Sequence, residues 1–219
     1  MFSKESLQFL KNLKKNNQKA WFETHRKTYE NARTEALQVN AELLKHLAKK
    51  DERFASLQPK DCMFRINRDI RFSKDKSPYK THFGLVFTPG GKSSIKSGFY
   101  LHIEPGASFA GGGIWAPEPA VLAAIRQEID YNLKEWKGIV EKASFKNLFG
   151  DLDQSDKLSR PPKGYEADNP ALDYLKLKHF VVGTRLSDEA LTGKTIIRDS
   201  AKAFDALLPM FKFLDRAIG

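Results

Sequence analysis

The stretch from Phe64 to His82 holds the densest group of side chains that could do chemistry. Its only acidic residues are Asp69 and Asp75. The cationic residues in the same stretch are Arg65, Arg68, Arg71, Lys74, Lys76 and Lys80. Guanidinium groups bind phosphate oxygens in pairs, and lysine adds a compact positive charge. The segment therefore predicts an anion site, with phosphate as the expected anion.

Alternate residues over 62–72 are apolar, which is typical of a β-strand. The apolar positions are Cys62, Phe64, Ile66, Ile70 and Phe72, and Arg68 alone interrupts them. A buried arginine without a partner costs several kcal/mol. We therefore expect Arg68 to be largely buried, with its guanidinium held by a carboxylate or by several carbonyl groups.

The polar positions of this segment should share a sheet face with polar residues of the next two strands. Matching the apolar faces of those strands places His82 opposite His102 or Glu104. The residues predicted on this face are Arg65, Asn67, Asp69, Arg71, His82, Tyr100, His102 and Glu104. Histidine titrates near neutral pH, so the candidate catalytic residues are His82, His102 and Asp69. The predicted ligand-binding residues are Arg65, Asn67, Arg68, Arg71, Lys74, Lys76, Tyr79 and Lys80.

Two other interpretations of this face stay open. His82, His102, Glu104 and Asp69 would suit a metal, but they come from separate strands without a helical HExxH motif. Such short patterns arise often by chance, so the sequence predicts no metal and no cofactor. The charged row could also be a solvated sheet face, because antiparallel sheets often leave one face in water.

The elements that must position these residues indicate an α+β fold in one domain over 1–219. Residues 1–60 are predicted to be helical, with Ser3 capping a helix over 4–14 and a second helix from Asn17 toward Lys50. Residues 62–115 alternate with period two, which predicts an antiparallel meander with strands at 62–72, 81–88, 97–104 and 107–115. This meander is expected to pack against the long N-terminal and central helices.

The remainder, 117–219, is predicted to be mainly helical. It begins with a helix over 117–143, contains a strand near 179–185 and ends with a helix over 197–217 that Pro209 should kink or split. Pro105 and Gly106 predict a type II turn between two strands. Gly111, Gly112 and Gly113 indicate a site where another group approaches the sheet closely.

Composition limits the classes of protein that fit. The net charge of +10 favours nucleic acids, nucleotides or other acidic partners. The longest apolar runs are too short to span a membrane, and the N-terminus predicts an amphipathic helix rather than a signal peptide. The single cysteine excludes an internal disulfide, and we expect Cys62 to be an inert core thiol. These features predict a cytoplasmic protein of undetermined oligomeric state.

Several motifs resemble one known family. The pattern FR-x-NRD-x-RFSKDK-x-PYK runs unbroken from Phe64 to Lys80, and NNQKAWFETHRKTYE, GFYLHIEPG, RPPKGY and LKLKHF accompany it. Together they resemble domain-of-unknown-function family 2461 of bacteria and fungi. The resemblance implies no particular activity.

The sequence thus predicts a protein that binds a phosphate-bearing ligand, a nucleotide or a nucleic acid, on a basic sheet face. One alternative is an enzyme that acts on a phosphorylated substrate with a histidine as acid or base. Another is a scaffold that binds an acidic protein. A pocket enclosing Arg68 or His82 would favour the enzyme, because substrates are usually held in concave sites.

Overall fold

The chain forms two compact units, each assembled from three stretches of sequence, in a computed structural model that describes all of residues 1–219. Unit 1 comprises Met1–Lys92, Tyr100–Ala110 and Arg185–Lys202. Unit 2 comprises Ser93–Phe99, Gly111–Thr184 and Ala203–Gly219. The predicted site residues from Arg65 to Glu104 that are discussed below all belong to unit 1.

Four strands form one antiparallel sheet with the order β1-β2-β3-β4. They are β1 (Phe83–Phe87), β2 (Gly98–Ile103), β3 (Phe109–Ile114) and β4 (Phe180–Arg185). The helices are α1 (Lys4–Lys15), α2 (Lys19–Thr24), α3 (Arg26–Ala48), α4 (Pro119–Tyr131), α5 (Leu133–Val140), α6 (Ala143–Phe149), α7 (Leu172–Leu175), α8 (Asp188–Thr192) and α9 (Ile196–Arg216). A short 3-10 turn, Glu52–Phe54, follows α3. The predicted α+β class, with its antiparallel meander and C-terminal helix, is confirmed.

The first predicted strand, 62–72, is wrong as a regular strand. Apart from two isolated antiparallel bridges, Met63–Leu85 and Asn67–Tyr79, the segment is irregular. The predicted apolar face also fails, because the side chain of Phe72 is 95% exposed. The physical reason is that aspartate side chains in this stretch bond to nearby backbone N–H groups, which competes with a strand ladder.

Helix α1 begins as predicted, because the Oγ of Ser3 accepts a hydrogen bond from the N–H of Ser6 at 3.1 Å. Its leucine stripe is buried and packs against α3. The buried leucines of α1 are Leu7, Leu10 and Leu13, and the matching residues of α3 are Ala32, Ala36, Val39, Leu43 and Leu47. Helix α3 also packs against β1, so the helices fix the position of the first strand in unit 1.

The helices differ from the prediction in where they are interrupted. The second helix is broken at His25, whose Nδ1 lies 2.8 Å from the carbonyl oxygen of Trp21. The predicted helix over 117–143 is broken at Asn132, whose side chain bonds to Glu128. The last helix, in contrast, is continuous through Pro209 from Ile196 to Arg216. Helix α6 begins where the predicted helix over 117–143 was expected to end, and it was not predicted.

The β2–β3 connection confirms the predicted turn. Ala107 N–H donates to the carbonyl of Glu104 at 2.9 Å, and Gly106 has a φ of 79°, which a type II turn requires at its third position.

In unit 2, the strand predicted near 179–185 is present as β4 and lies beside β3. A Cβ atom on Gly111 would lie 2.1 Å from the carbonyl oxygen of Val182, so glycine is required for this close approach. The indole of Trp136 is fully buried, with its ring centroid 5.0 Å from that of Phe213 and 6.2 Å from that of Phe180.

None of the helices combines the length and apolarity needed to cross a bilayer.

Candidate functional site

The basic segment, residues 64–82, pairs with β1 only at its start. The N–H of Phe64 donates to the carbonyl of Gly84, and the N–H of Val86 donates to that of Cys62. Beyond this point the segment closes on itself, because the N–H of Lys80 donates to the carbonyl of Ile66 at 2.8 Å. The cationic side chains therefore lie on a loop and not in a row on one sheet face.

Arg68 is held as predicted but is only half-buried. Its Nη1 lies 2.5 Å from the Oδ2 of Asp75 and 3.0 Å from the carbonyl oxygen of Ser77. The side chain of Arg68 is 26% exposed and that of Asp75 63% exposed, so the guanidinium lies in a partly buried position at the surface rather than in the core. The segment never enters the sheet, and this arginine instead ties the two sides of the loop together.

Two further cations of the segment are occupied by groups of the loop itself. Arg71 donates to both carboxylate oxygens of Asp69, at 3.0 and 2.7 Å. Lys76 donates to the carbonyl of Ile70 at 3.0 Å. The pKa of Asp69 is lowered by the hydrogen bond from Arg71, so this carboxylate serves an ion pair rather than the histidines. The structure thus separates the candidate Asp69 from His82 and His102.

Two predicted ligand-binding residues, Tyr79 and Asn67, contribute instead to packing and backbone pairing within the fold. The ring of Tyr79 is buried and stacks on Phe22 with centroids 4.0 Å apart. Asn67 forms the bridge to Tyr79, with its side chain exposed. Lys74 is exposed at the tip of the loop.

Two lysine ammonium groups lie beside one exposed aromatic ring, with a third cation next to it in the chain, and we call these residues the Phe64 surface: Phe64, Arg65, Lys80 and Lys92. The Nζ atoms of Lys80 and Lys92 each lie 5.7 Å from the ring centroid of Phe64, whose side chain is 40% exposed. They donate to the backbone carbonyls of Arg65 and Met63. Burial, followed by the charges of Arg65 and Lys92, lowers the pKa of Lys80. Three cations therefore share a small area in which they repel one another.

Beside the Phe64 surface lies a second group, the histidine–glutamate cluster: His82, His102 and Glu104. One nitrogen or oxygen atom from each residue lies within 4.8 Å of the others. The imidazole centroids of His82 and His102 are 4.2 Å apart, and the Nε2 of His102 is 3.2 Å from the Oε2 of Glu104. His82 therefore lies beside His102 and Glu104, the two residues that the sequence placed opposite it.

The supporting hydrogen bonds of the cluster come from residues around it. Tyr100 Oη lies 3.2 Å from His102 Nδ1, and a Cβ atom on Gly84 would lie 2.7 Å from that hydroxyl. Thr81 and Lys14 both donate to the Oε1 of Glu104, at 3.1 and 3.3 Å. The phenyl ring of Phe109 stacks on His102 with centroids 5.0 Å apart.

The environment sets the charges of the cluster. Burial, followed by the electrostatic effects of His102 and Lys80, lowers the pKa of His82 to about 4, so this imidazole is neutral at pH 7. Burial opposes ionisation of Glu104, but hydrogen bonds from His102, Lys14 and Thr81 prevail and lower its pKa. Burial raises the pKa of Tyr100 to about 12, so its hydroxyl keeps its proton. The cluster thus includes the neutral imidazole of His82 and the carboxylate of Glu104, with the protonated phenol of Tyr100 beside it.

Sequence reasoning missed Lys14 and Lys92. Lys14 lies on the polar side of α1, and no pattern in the sequence links it to Glu104, 90 residues away. Lys92 lies in the connection between β1 and β2, outside the motif. The thiol of Cys62 is buried, and this burial raises its pKa to about 11, in agreement with the predicted inert thiol.

One comparison with known proteins gives a result. A family model described as "Conserved hypothetical protein (DUF2461)" matches residues 5–213, which is nearly the whole chain. No curated protein and no solved structure matches the sequence.

Proposed function

The chain belongs to this family of conserved hypothetical proteins, and from the geometry of the basic segment we propose that it binds a phosphate-bearing ligand, a nucleotide or a nucleic acid, at the Phe64 surface. The observation that carries the proposal is the exposed phenyl ring of Phe64 with the ammonium groups of Lys80 and Lys92 beside it and Arg65 next in the chain. Neither Lys80 nor Lys92 donates to a carboxylate.

The cations have free capacity for an anion. An ammonium group has three donors, and the bonds to carbonyls use one on Lys80 and one on Lys92. Mutual repulsion among Arg65, Lys80 and Lys92 weakens when a phosphate lies between them. An anion therefore gains more here than beside Arg68 or Arg71, whose charges aspartates already offset.

The aromatic ring distinguishes this ligand class from other anions. A base that stacks on an aromatic side chain contributes about 1–3 kcal/mol, and neighbouring lysines hold the backbone phosphates. A second exposed ring, Phe72, lies in the same loop with the guanidinium of Arg71 5.8 Å from its centroid. Exposed aromatic rings alternating with cations are typical of surfaces that bind single strands.

The experiment is a titration of the full chain with short single-stranded DNA and RNA oligonucleotides and with nucleoside triphosphates, each at several salt concentrations. Log affinity for a single strand falls with log salt by about 0.7 for each phosphate neutralised. Arg65→Gln should flatten this slope by about 0.7. Phe64→Leu should weaken binding by about 1–3 kcal/mol without changing the slope. Lys27→Gln, an exposed lysine on α3, is the charge-matched control.

The panel also separates the alternatives. If triphosphates bind as tightly as oligonucleotides, the ligand is a nucleotide. If polyglutamate binds equally well and Phe64→Leu has no effect, the surface recognises an acidic protein. If no member of the panel binds at low salt, the proposal is wrong.

A second candidate is an enzyme that acts on a phosphorylated substrate. It is favoured by the position of His82 two residues after Lys80, whose charge acts on the imidazole. A pKa of about 4 makes His82 a poor proton donor at pH 7, so the cluster would act as an acceptor or a ligand. Release of inorganic phosphate from a panel of phosphate esters tests this candidate.

A further inference from the structure

We propose that His82, His102 and Glu104 bind a divalent first-row transition-metal ion of the Zn²⁺ type. Two imidazoles and one carboxylate form a donor set that such ions prefer. The inference goes beyond the proposed function, since it requires no phosphate ligand. It also differs from the four-residue site considered from the sequence, because Asp69 is paired with Arg71 and takes no part.

The distances between donor atoms suit one ion. Donors about 2.1 Å from a tetrahedral ion lie roughly 3.4 Å from one another. The Nε2 of His102 and the Oε2 of Glu104 are 3.2 Å apart, which is close to this value. One ring nitrogen of His82 lies within 4.8 Å of a donor atom of each of these two residues. A shift of roughly 1–1.5 Å at that ring completes the set.

The hydrogen bonds from Lys14, Thr81 and Tyr100 leave free the two atoms proposed to bind the metal, the Oε2 of Glu104 and the Nε2 of His102. Lys14 and Thr81 hold the Oε1 of Glu104, so its Oε2 is directed toward His102. When the Nε2 of His102 binds a metal, its Nδ1 carries the proton and donates to the oxygen of Tyr100. A histidine ligand that donates its second N–H in this way is usual at metal sites.

The third ligand makes no competing bond. Neither ring nitrogen of His82 forms a hydrogen bond within the chain, so one of them is free to offer a lone pair to an ion. The position of Glu104 is fixed by its own backbone, because its N–H donates to the Oγ of Ser108 and its carbonyl accepts from the same hydroxyl. Ligands on such fixed backbone keep their geometry when the metal leaves.

Three protein ligands leave at least one coordination position for water or a substrate. This number is found in catalytic zinc sites, whereas structural sites are closed by four. The side chains of His102 and Glu104 are 13% and 17% exposed, which leaves access to the cluster from solvent. The site would therefore be an open one.

The test uses the untagged full chain after treatment with EDTA. Titration with Zn²⁺ by calorimetry should show one equivalent bound per chain, and Co²⁺ should give the visible absorption of a nitrogen- and oxygen-bound ion. His82→Ala and Glu104→Gln should each abolish the stoichiometric site. His46→Ala, on α3, is the control that removes a histidine outside the cluster.

Two additional measurements keep the test decisive if a variant folds poorly. Tyr100→Phe removes only the supporting hydroxyl and should weaken Zn²⁺ binding by about 10–100-fold. In the wild-type chain, the imidazole NMR signals of His82 and His102 should shift on addition of Zn²⁺, while that of His46 should not. Absence of a one-to-one site in the wild type, or an unchanged site in both His82→Ala and Glu104→Gln, overturns the proposal.

Discussion

The side chain of Asn17 bonds to both backbone groups of Tyr79. Its Nδ2 donates to the carbonyl of Tyr79 at 2.9 Å, and its Oδ1 accepts from the N–H of Tyr79 at 3.0 Å. Tyr79 has a backbone neighbour only on the side of Asn67, and the amide of Asn17 takes the place of a second strand on its other side. Since Tyr79 stacks on Phe22 and bridges to Asn67, the pair anchors the basic loop to the start of the helical region in unit 1.

Replacing Asn17 with Ala should therefore destabilise the chain. Two half-buried hydrogen bonds are lost, each worth about 0.5–1.5 kcal/mol, so the free energy of unfolding should fall by about 1–3 kcal/mol. Urea denaturation monitored by circular dichroism measures this free energy of unfolding. Gln18→Ala is the control, because Gln18 is exposed and makes no capping bond. An equal loss in the two variants would contradict the anchoring role of Asn17.

The loop should also open at low pH. Hydrogen bonds from the backbone and side chain of Ser77, and then from Arg68, lower the pKa of Asp75 from 3.8 to about 2. Because the folded pKa is depressed, the stabilisation is complete above about pH 4 and is lost as the pH falls toward 2. The protection of the Ser77 amide against hydrogen exchange, relative to the intrinsic rate at each pH, should fall over this range. Asp75→Asn should remove the pH dependence, whereas Asp61→Asn should retain it.

A pair of glycine substitutions should act in opposite directions. A Cβ on Gly113 would lie 1.9 Å from the carbonyl oxygen of Phe180, and its φ is 135°, so Gly113→Ala should cost at least about 1–3 kcal/mol. Gly138, within α5, has open space around it. Gly138→Ala should stabilise by about 0.5–1 kcal/mol. Thermal denaturation of both variants measures the difference, and a neutral Gly113→Ala would contradict the close approach of β4.

The sequence alone predicted those features that depend on interactions between neighbouring residues. The cap at Ser3, the leucine stripe of α1 and the turn at Gly106 follow from interactions within a few residues. The His82, His102 and Glu104 group was predictable for a related reason, since period two along β2 places His102 and Glu104 on one face.

The same reasoning failed where side chains compete with the backbone ladder. Alternation over 62–72 predicted a strand, but the carboxylates of Asp69 and Asp75 bond to the loop backbone instead. Residues brought in by tertiary packing, such as Lys14 beside Glu104 and Lys92 beside Phe64, left no signal in the local pattern. The location of the basic segment was therefore predictable, whereas the cations that remain available on it were not.

That difference gives the last prediction, which concerns Lys92 and Lys76. Lys76 belongs to the motif but lies at the carbonyls of Ile70 and Arg71, whereas Lys92 lies outside the motif and over the ring of Phe64. If a single strand binds at the Phe64 surface, Lys92→Gln should weaken binding at low salt and flatten the salt slope by about 0.7. Lys76→Gln removes the same charge and should leave the slope nearly unchanged. Fluorescence anisotropy with one labelled oligonucleotide measures both variants, and a larger effect at Lys76 would place the ligand on the loop tip instead.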